Sequence, residues 1–341
     1  MSNPDPGYQR NYGNFDVKFV PASRLQDDHF IKSRRLLATI HYGEGDEQPL
    51  SVPCPLVFVP TPQLNEESLV EVWISSAPVT TGQRDGVRYA VNGQVLFGVC
   101  EVPELAGTLL HSLTYDLYKR MIQFVNQEGY PDLLRVWNYL PDINEEQNGL
   151  ERYRRFCQGR YDAFAEFTPD FERILPAGAA VGTLKPGLLV YFVATRGAGQ
   201  PIENPRQTNP YRYPPQYSPR SPSFCRAMFK DWRTYRQLFL SGTASIVEHE
   251  TRHAGDVRAQ LNETLHNIQA LLAHAADVAG TDFRTKSTEA VLKVYVRRAS
   301  DLPLIRDHLA QALGEKLSVI FLNADLCRRE LLVEVEGIYK Q

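Results

Sequence analysis

Apolar residues recur along this chain with two spacings, and the spacings alternate in blocks. Short runs rich in β-branched and aromatic residues read as strands: Leu36 to Tyr42, Leu56 to Pro60, Leu69 to Ser75 and, most clearly, Val95 to Val102 (V-L-F-G-V-C-E-V). Leu134 to Leu140, Leu188 to Thr195, Leu238 to Ser245, Val291 to Arg297, Leu317 to Leu322 and Leu331 to Ile338 follow in the same style. Between them, apolar positions recur at three and four. Leu110, Leu113, Leu117, Met121, Phe124 and Val125 predict a helix that Gly129 ends. A second is expected from Leu150 to Phe164, with Tyr153, Phe156, Cys157 and Phe164 available for packing. A third runs from Asp256, a capping residue, to about His274, with Val257, Leu261, Leu265, Ile268 and Leu272 on one stripe. Asp301 and Pro303 open a fourth, in which Leu304, Ile305, His308, Leu309 and Leu313 share a face. Residues 1–30 are polar and read as irregular.

The order of elements predicts an α+β fold: mixed sheets, each with helices packed on one face. The rhythm of strands and helices occurs twice, so an internal structural duplication is expected, as an N-terminal half at 1–185 and a C-terminal half at 186–341. No residue-level repeat is visible. Within the second half, residues 202–227 carry six prolines, three tyrosines and four arginines. Proline blocks helix and central strand, which suits a linker. Linkers are usually rich in glycine, serine or acidic residues, however, whereas arginine and tyrosine bind anions and rings. We therefore read 202–227 as a stiff substrate wall.

Composition narrows the picture without pointing anywhere. With 43% hydrophobic and 23% charged residues the chain is ordinary globular material, and its net charge of −3 gives no reason to expect nucleic acid or an anionic membrane as partner. No apolar run approaches the ~20 residues that span a bilayer. The polar start, M-S-N-P-D-P-G-Y-Q-R, lacks the apolar core of a signal peptide, so a cytoplasmic location is expected. The five cysteines are scattered and form no CxxC pair, which argues against a disulfide framework or a zinc site. His249 to His253 fits the letters H-E-x-x-H, but no third ligand stands at a familiar spacing and Gly255 interrupts the helix that motif requires; no metal is expected.

The closing strand is where the chemistry concentrates. From Leu331 to Tyr339 apolar and acidic residues alternate, so Glu334 and Glu336 share a face with Leu332. A carboxylate on such a face is costly to ionise unless something pairs with it. Either it sits in an ion pair, or its pKa rises into the range of a proton-donating acid near neutral pH. Cys327, seven residues earlier, is a second reactive side chain.

Several segments together resemble a known family. The helix G-D-V-R-A-Q-L-N-E-T-L-H-N-I-Q-A-L-L-A at 255–273, L-K-V-Y-V-R-R-A-S-D-L at 292–302 and L-L-V-E-V-E-G at 331–337 are similar to the RidA (YjgF) fold. W-N-Y-L-P-D-I-N at 137–144, I-E-N-P at 202–205, the proline-tyrosine-arginine run from 213 to 227 and the acidic ending resemble the chorismatases over roughly residues 90–341. The resemblance implies two RidA-like (chorismate mutase-like) halves, and an enzyme that removes the enolpyruvyl side chain of chorismate as pyruvate without a cofactor. Glycine at Gly242 and cysteine at Cys327 match the branch that makes 3-hydroxybenzoate, where strict hydrolases carry alanine at both. Some members also release 4-hydroxybenzoate. On this reading Glu334 protonates the enol ether, and Cys327 acts as nucleophile, proton carrier or shape. Arg220 and Arg226, with Arg297 a weaker candidate, take the substrate carboxylates. Tyr213 and Tyr217 close over the ring, and Thr243 beside Gly242 holds an oxygen. The alternatives are a chorismate hydrolase releasing a dihydroxycyclohexadiene carboxylate, a RidA-like imine deaminase, and a non-catalytic binder. RidA-like sites lie between subunits of a trimer; two halves in one chain supply such an interface internally, so a monomer is expected ahead of a trimer.

Overall fold

The structure, a computed structural model, describes residues 15–25, 35–43, 54–105, 107–285, 287–313 and 318–341. Strands β1 (Phe15–Pro21), β2 (Leu36–Tyr42), β3 (Leu56–Val59) and β4 (Leu69–Ser75) form a four-stranded sheet in the order β1-β4-β2-β3. The first of these lies in the stretch read as irregular. Its alternating Phe15 and Val17 are buried, and it pairs antiparallel with β4 along its whole length.

A six-stranded sheet follows. Along the chain come β5 (Thr80–Arg84), β6 (Val87–Val91), β7 (Val95–Val102), helix α1 (Leu110–Gln127), β8 (Asp132–Pro141), a separate small hairpin of β9 (Glu146–Gln147) and β10 (Leu150–Glu151), helix α2 (Arg152–Phe167), β11 (Ala177–Thr183) and β12 (Leu188–Thr195); β5 to β8, β11 and β12 are its six strands. A second six-stranded sheet is made by β13 (Gln200–Ile202), β14 (Ala227–Asp231), β15 (Arg236–Ala244), β18 (Glu289–Val296), β19 (Ser318–Asn323) and β20 (Val333–Lys340), with a separate hairpin of β16 (Ile246–Val247) and β17 (Glu250–Thr251), helix α3 (Val257–Ala279) and helix α4 (Leu302–Leu313) in its connections. Asp256 caps α3 by accepting from the Ala259 amide at 3.0 Å, and left-handed Gly280 stops it one turn beyond the expected end.

The two large sheets have one topology. Their orders are β5-β6-β7-β12-β8-β11 and β13-β14-β15-β20-β18-β19, so in each the sixth strand is inserted between the third and the fourth. In each, only the fourth and fifth strands pair in parallel. The expected duplication is therefore present as connectivity. The four-stranded sheet repeats the inner part of the same pattern, with antiparallel, antiparallel and parallel pairings across β1-β4-β2-β3. Its last strand, L-V-E-V-W-I-S at 69–75, shares the four letters L-V-E-V with residues 332–335. Sheet membership also bears on the division of the chain: β12 is hydrogen-bonded to β7 and β8, so the large sheets part between Thr195 and Gln200 rather than at 185/186.

Helices cover the outer face of each large sheet. Leu117, Met121 and Phe156 pack on Leu96, Val190 and Phe192 of the first, and Leu261, Ile268 and Ile305 on Leu240, Val294 and Val335 of the second. The inner faces of all three sheets meet around Trp73, Phe97, Trp137, Tyr191, Phe239 and Tyr295. Each such side chain contributes about 1.5–3 kcal/mol by leaving water. Because Val333 and Val335 point to the helices, Glu334 and Glu336 point inward, between the sheets. Among the described residues, no helix is long and apolar enough to cross a membrane.

Candidate active site

A cavity of about 670 Å³ opens where the first large sheet meets the second. Its inner end is formed by Glu334 on β20, Gly242 and Ala244 on β15, and Cys327 in the loop before β20. The proline-rich segment supplies Tyr213, Tyr217, Phe224 and Arg226, and so lies as a wall of the cavity. Glu151, Tyr153 and Arg154, from β10 and the start of α2, complete the opposite side. Of the residues expected from the sequence, Glu334, Cys327, Tyr213, Tyr217, Arg226 and Gly242 thus come together.

Gly242 is placed by an irregularity in the sheet. The register of β15 against β20 shifts between Leu240 and Thr243, which leaves Ser241 and Gly242 outside the ladder. Ser241 fixes that bulge: its hydroxyl donates to the Cys225 carbonyl at 2.6 Å and accepts from the Gly178 amide at 2.9 Å, tying β11 to β15. A Cβ at Gly242 would collide with Glu334 Oε1. Glycine is needed here for the close approach of the carboxyl, and the space it leaves is occupied by Glu334 itself.

Glu334 is 4% exposed. Among the described residues no side chain donates a hydrogen bond to it. Burial, and then the charge of Glu336, push its pKa up to about 8, against the pull of Arg135, Arg226 and Arg297. It is a carboxylic acid at neutral pH. The Cys327 thiol is pushed up to about 12, first by burial and then by Glu334, with Arg328 opposing. It is a thiol, not a thiolate.

Two cations face the cavity without a carboxylate partner among the described residues. Arg226 is buried; its Nη2 donates to Tyr213 Oη at 2.6 Å and to the Thr208 carbonyl at 2.9 Å, while its Nε has no partner. Arg328 donates to the His249 carbonyl at 2.9 Å, and its guanidinium lies 4.3 Å from the Tyr217 ring centre and 5.4 Å from that of Tyr213. The other arginines of the rim are engaged, Arg154 by Glu151 and Arg329 by Glu145.

Three expected residues lie elsewhere. Arg220 is about half exposed, stacks on Tyr161 at 4.7 Å and approaches Asp162 at 3.7 Å, outside the cavity lining. A proline-rich segment has no period from which to tell inward from outward side chains, and Arg226 is the inward one. Thr243 stands opposite Val335, on the helix side of β15, and its hydroxyl donates to the Ser241 carbonyl at 2.9 Å. Arg297 is a structural clamp: it pairs with Asp325 and donates to the carbonyls of Leu331, Leu326 and Arg328. It fixes the loop carrying Cys327 and Arg328 and does not itself line the cavity. The H-E-x-x-H letters fall on β17 and a turn in which His253 has φ +58°, so they lack the helical face a zinc motif needs.

Arg328 and Phe224 carry no site expectation from the sequence, and Tyr153, expected to pack, lines the cavity. Arg328 follows Cys327 directly, and the C-R-R triplet was the available signal. Its ring partners, however, come from more than a hundred residues upstream.

Residues 71–194 match the family model "Chorismatase FkbO/Hyg5-like, N-terminal". The chain is 35% identical to a 3-hydroxybenzoate synthase of Streptomyces hygroscopicus over 89% of its own length and 92% of the relative's. It is 37% identical to a chorismatase of Streptomyces rapamycinicus over the same shares of the two chains. A chorismatase crystal structure superposes with a TM-score of 0.86 and 32% identity, covering 96% of this chain and 98% of that one. A Rid-family protein of Yersinia pestis matches 41% of this chain at a TM-score of 0.30. Identity at this level across nearly the whole length, with the same fold from end to end, places the chain in the chorismatase family.

Proposed function

We propose that this chain converts chorismate to 3-hydroxybenzoate and pyruvate. The observation that carries the reading is Glu334, a buried carboxyl to which no described side chain donates, in a cavity where Arg226 and Arg328 have no ion-pair partner among the described residues. Chorismate has two carboxylates and an enol ether. Planar guanidinium groups suit the carboxylates, and Arg226 and Arg328, framed by Tyr213, Tyr217 and Phe224, are the groups free to take them. Glu334 Oε–H gives its proton to the terminal methylene carbon, and the ether oxygen becomes part of an oxocarbenium ion. The 4-hydroxyl then attacks C3. The C3–O bond breaks, pyruvate leaves, and the hydroxyl proton returns to Glu334. The epoxide left on the ring opens at C4 and loses the C3 proton to give 3-hydroxybenzoate. The atoms balance without water.

Cys327 beside Glu334 supports this branch, since a neutral thiol fills space that water needs in the hydrolytic route. The 3-hydroxybenzoate synthase among the relatives supports it too. No metal or cofactor enters the scheme, and the enclosure of one core by three sheets of a single chain supports a monomer. Purified protein incubated with chorismate, with products separated by chromatography, tests the reading. Release of 3-hydroxybenzoate and pyruvate in equal amounts is expected. Surviving chorismate would overturn the function, and the dihydrodiene alone would overturn the branch.

A further inference from the structure

Glu336 lies two residues from Glu334 on the same inward face of β20 and is 1% exposed. It is held on every side. Arg135 of β8 pairs with Oε2; Trp137 Nε1 donates to Oε1 at 2.9 Å and Tyr295 Oη at 3.0 Å; Lys293 Nζ stands 3.6 Å away. Lys293 also binds Glu71 Oε2 of β4 at 2.9 Å and Tyr191 Oη at 2.8 Å. Glu71 in turn accepts from Tyr42 Oη at 2.5 Å and Trp73 Nε1 at 2.8 Å. Two acids and two bases from three sheets thus form one buried, charge-balanced network, in which Arg135 Nη1 is left without a partner among the described residues, and the reaction acid stands at its border.

We propose that Glu336 is a positioning residue for the proton of Glu334: its fixed negative charge, locked by the network two residues away, disfavours a second carboxylate on the same face. The inference rests on Glu334 as the acid. Strand geometry sets the two carboxyl-bearing Cα atoms roughly 7 Å apart, and between buried groups at that distance a charge is poorly screened. The groups that face Glu334 from the surrounding elements are Arg135 on β8, Tyr295 opposite it on β18, Arg226 ahead of β14, Arg297 after β18, Cys327 before β20, and Glu336 itself. Three of these are cations that favour ionisation of Glu334, and Glu336 is the charge that opposes them.

The experiment is the pH profile of chorismate kcat/KM for the intact chain and two variants of opposite charge change. Glu336→Gln removes the opposing anion, so the alkaline limb moves to lower pH by about one unit. Lys293→Met removes a cation of the same network, so the limb moves up or stays. A merely structural network would lower turnover in both variants and leave the limb in place, or move it in the same direction in both; either outcome overturns the proposal. The infrared band of the protonated carboxyl, assigned by its loss in Glu334→Gln, follows the same titration without turnover. If Glu334→Gln keeps full activity, the acid assignment fails. If the band titrates alike in wild type and Glu336→Gln, the positioning role fails. Should Glu336→Gln not fold, Tyr295→Phe, which removes one donor from Glu336, replaces it and is expected to shift the band by less.

Discussion

The inner face of β20 carries two acids in two different worlds. Glu336 sits in a sealed network with donors from two sheets, whereas Glu334, one pleat away, borders a cavity and no described donor reaches it. Burial is nearly equal, at 1% and 4%, so exposure does not separate them. Donors do: a carboxylate that accepts several hydrogen bonds keeps its charge, and one that accepts none keeps its proton. The four-stranded sheet repeats the comparison. Glu71 occupies the place on β4 that Glu334 occupies on β20, and it is closed by Tyr42, Trp73 and Lys293. One strand pattern has therefore been used once as a structural anchor and once as an open acid.

The sharpest way to break the comparison is Glu334→Gln. The amide keeps the shape and cannot supply the proton, so chorismate consumption falls by roughly 10²–10⁴-fold with the melting temperature retained. Wild-type turnover in that variant would remove Glu334 as the acid. If Glu334 is the acid, wild-type activity needs its protonated form, and the rate is expected to decline as pH rises through about 8. Stability carries the same sign. An unfolded glutamate loses its proton near pH 4.3, the folded one near 8, so between these values the native state holds the extra proton. Stability therefore falls as pH rises across that window. Glu334→Gln flattens this slope, which melting curves from pH 5 to 9 measure.

Gly242→Ala attacks the open side of the comparison through space. The added Cβ meets Glu334 Oε1, and the carboxyl, as the end of a flexible side chain, swings away. We expect about tenfold slower consumption, from misplacement of the acid, and a larger share of dihydrodiene. An unchanged rate and product ratio would mean that the carboxyl position is not limiting. On the proposed function, Arg328→Met and Arg226→Gln would each remove a charge-assisted contact to a substrate carboxylate, so KM is expected to rise about tenfold or more while kcat changes less. Arg220→Ala, an exposed pair outside the cavity, stays within about twofold.

Much of this was legible in the chain, for identifiable reasons. The long strands and the four described α-helices announce themselves because one face of each is apolar with a fixed period. The strand β11, A-G-A-A-V-G-T, did not, since small residues carry little strand signal although all but the last are buried. The hairpin of β5 and β6 did not because β5 is T-T-G-Q-R, polar and largely exposed at the sheet edge. Alternation placed Glu334 and Glu336 on one face but did not say which was paired, because Arg135 and Trp137 lie some two hundred residues upstream. For the same reason Arg297 read as a ligand-binding cation when it is a clamp on backbone carbonyls, and Arg328 went unnoticed.

Cys327 gives the finest test of the two environments, because it reads the open side without touching the acid. A nucleophilic role needs a thiolate, and with the thiol pushed up to about 12 the ionised fraction at pH 7 is on the order of 10⁻⁵. Its charge is suppressed by the same burial that raises Glu334, so on the proposed function what the side chain has to offer is volume and a weak S–H donor. Cys327→Ala removes both. Total chorismate consumption should then change only a few-fold, while the product shifts from 3-hydroxybenzoate toward the dihydrodiene as water occupies the vacated space. Cys327→Ser restores most of the volume with a stronger donor, and an intermediate ratio is expected. A covalent role makes a different forecast: both variants lose consumption together. An unchanged product ratio in Cys327→Ala would show that the aromatising outcome is set elsewhere, with Gly242 the next residue to examine.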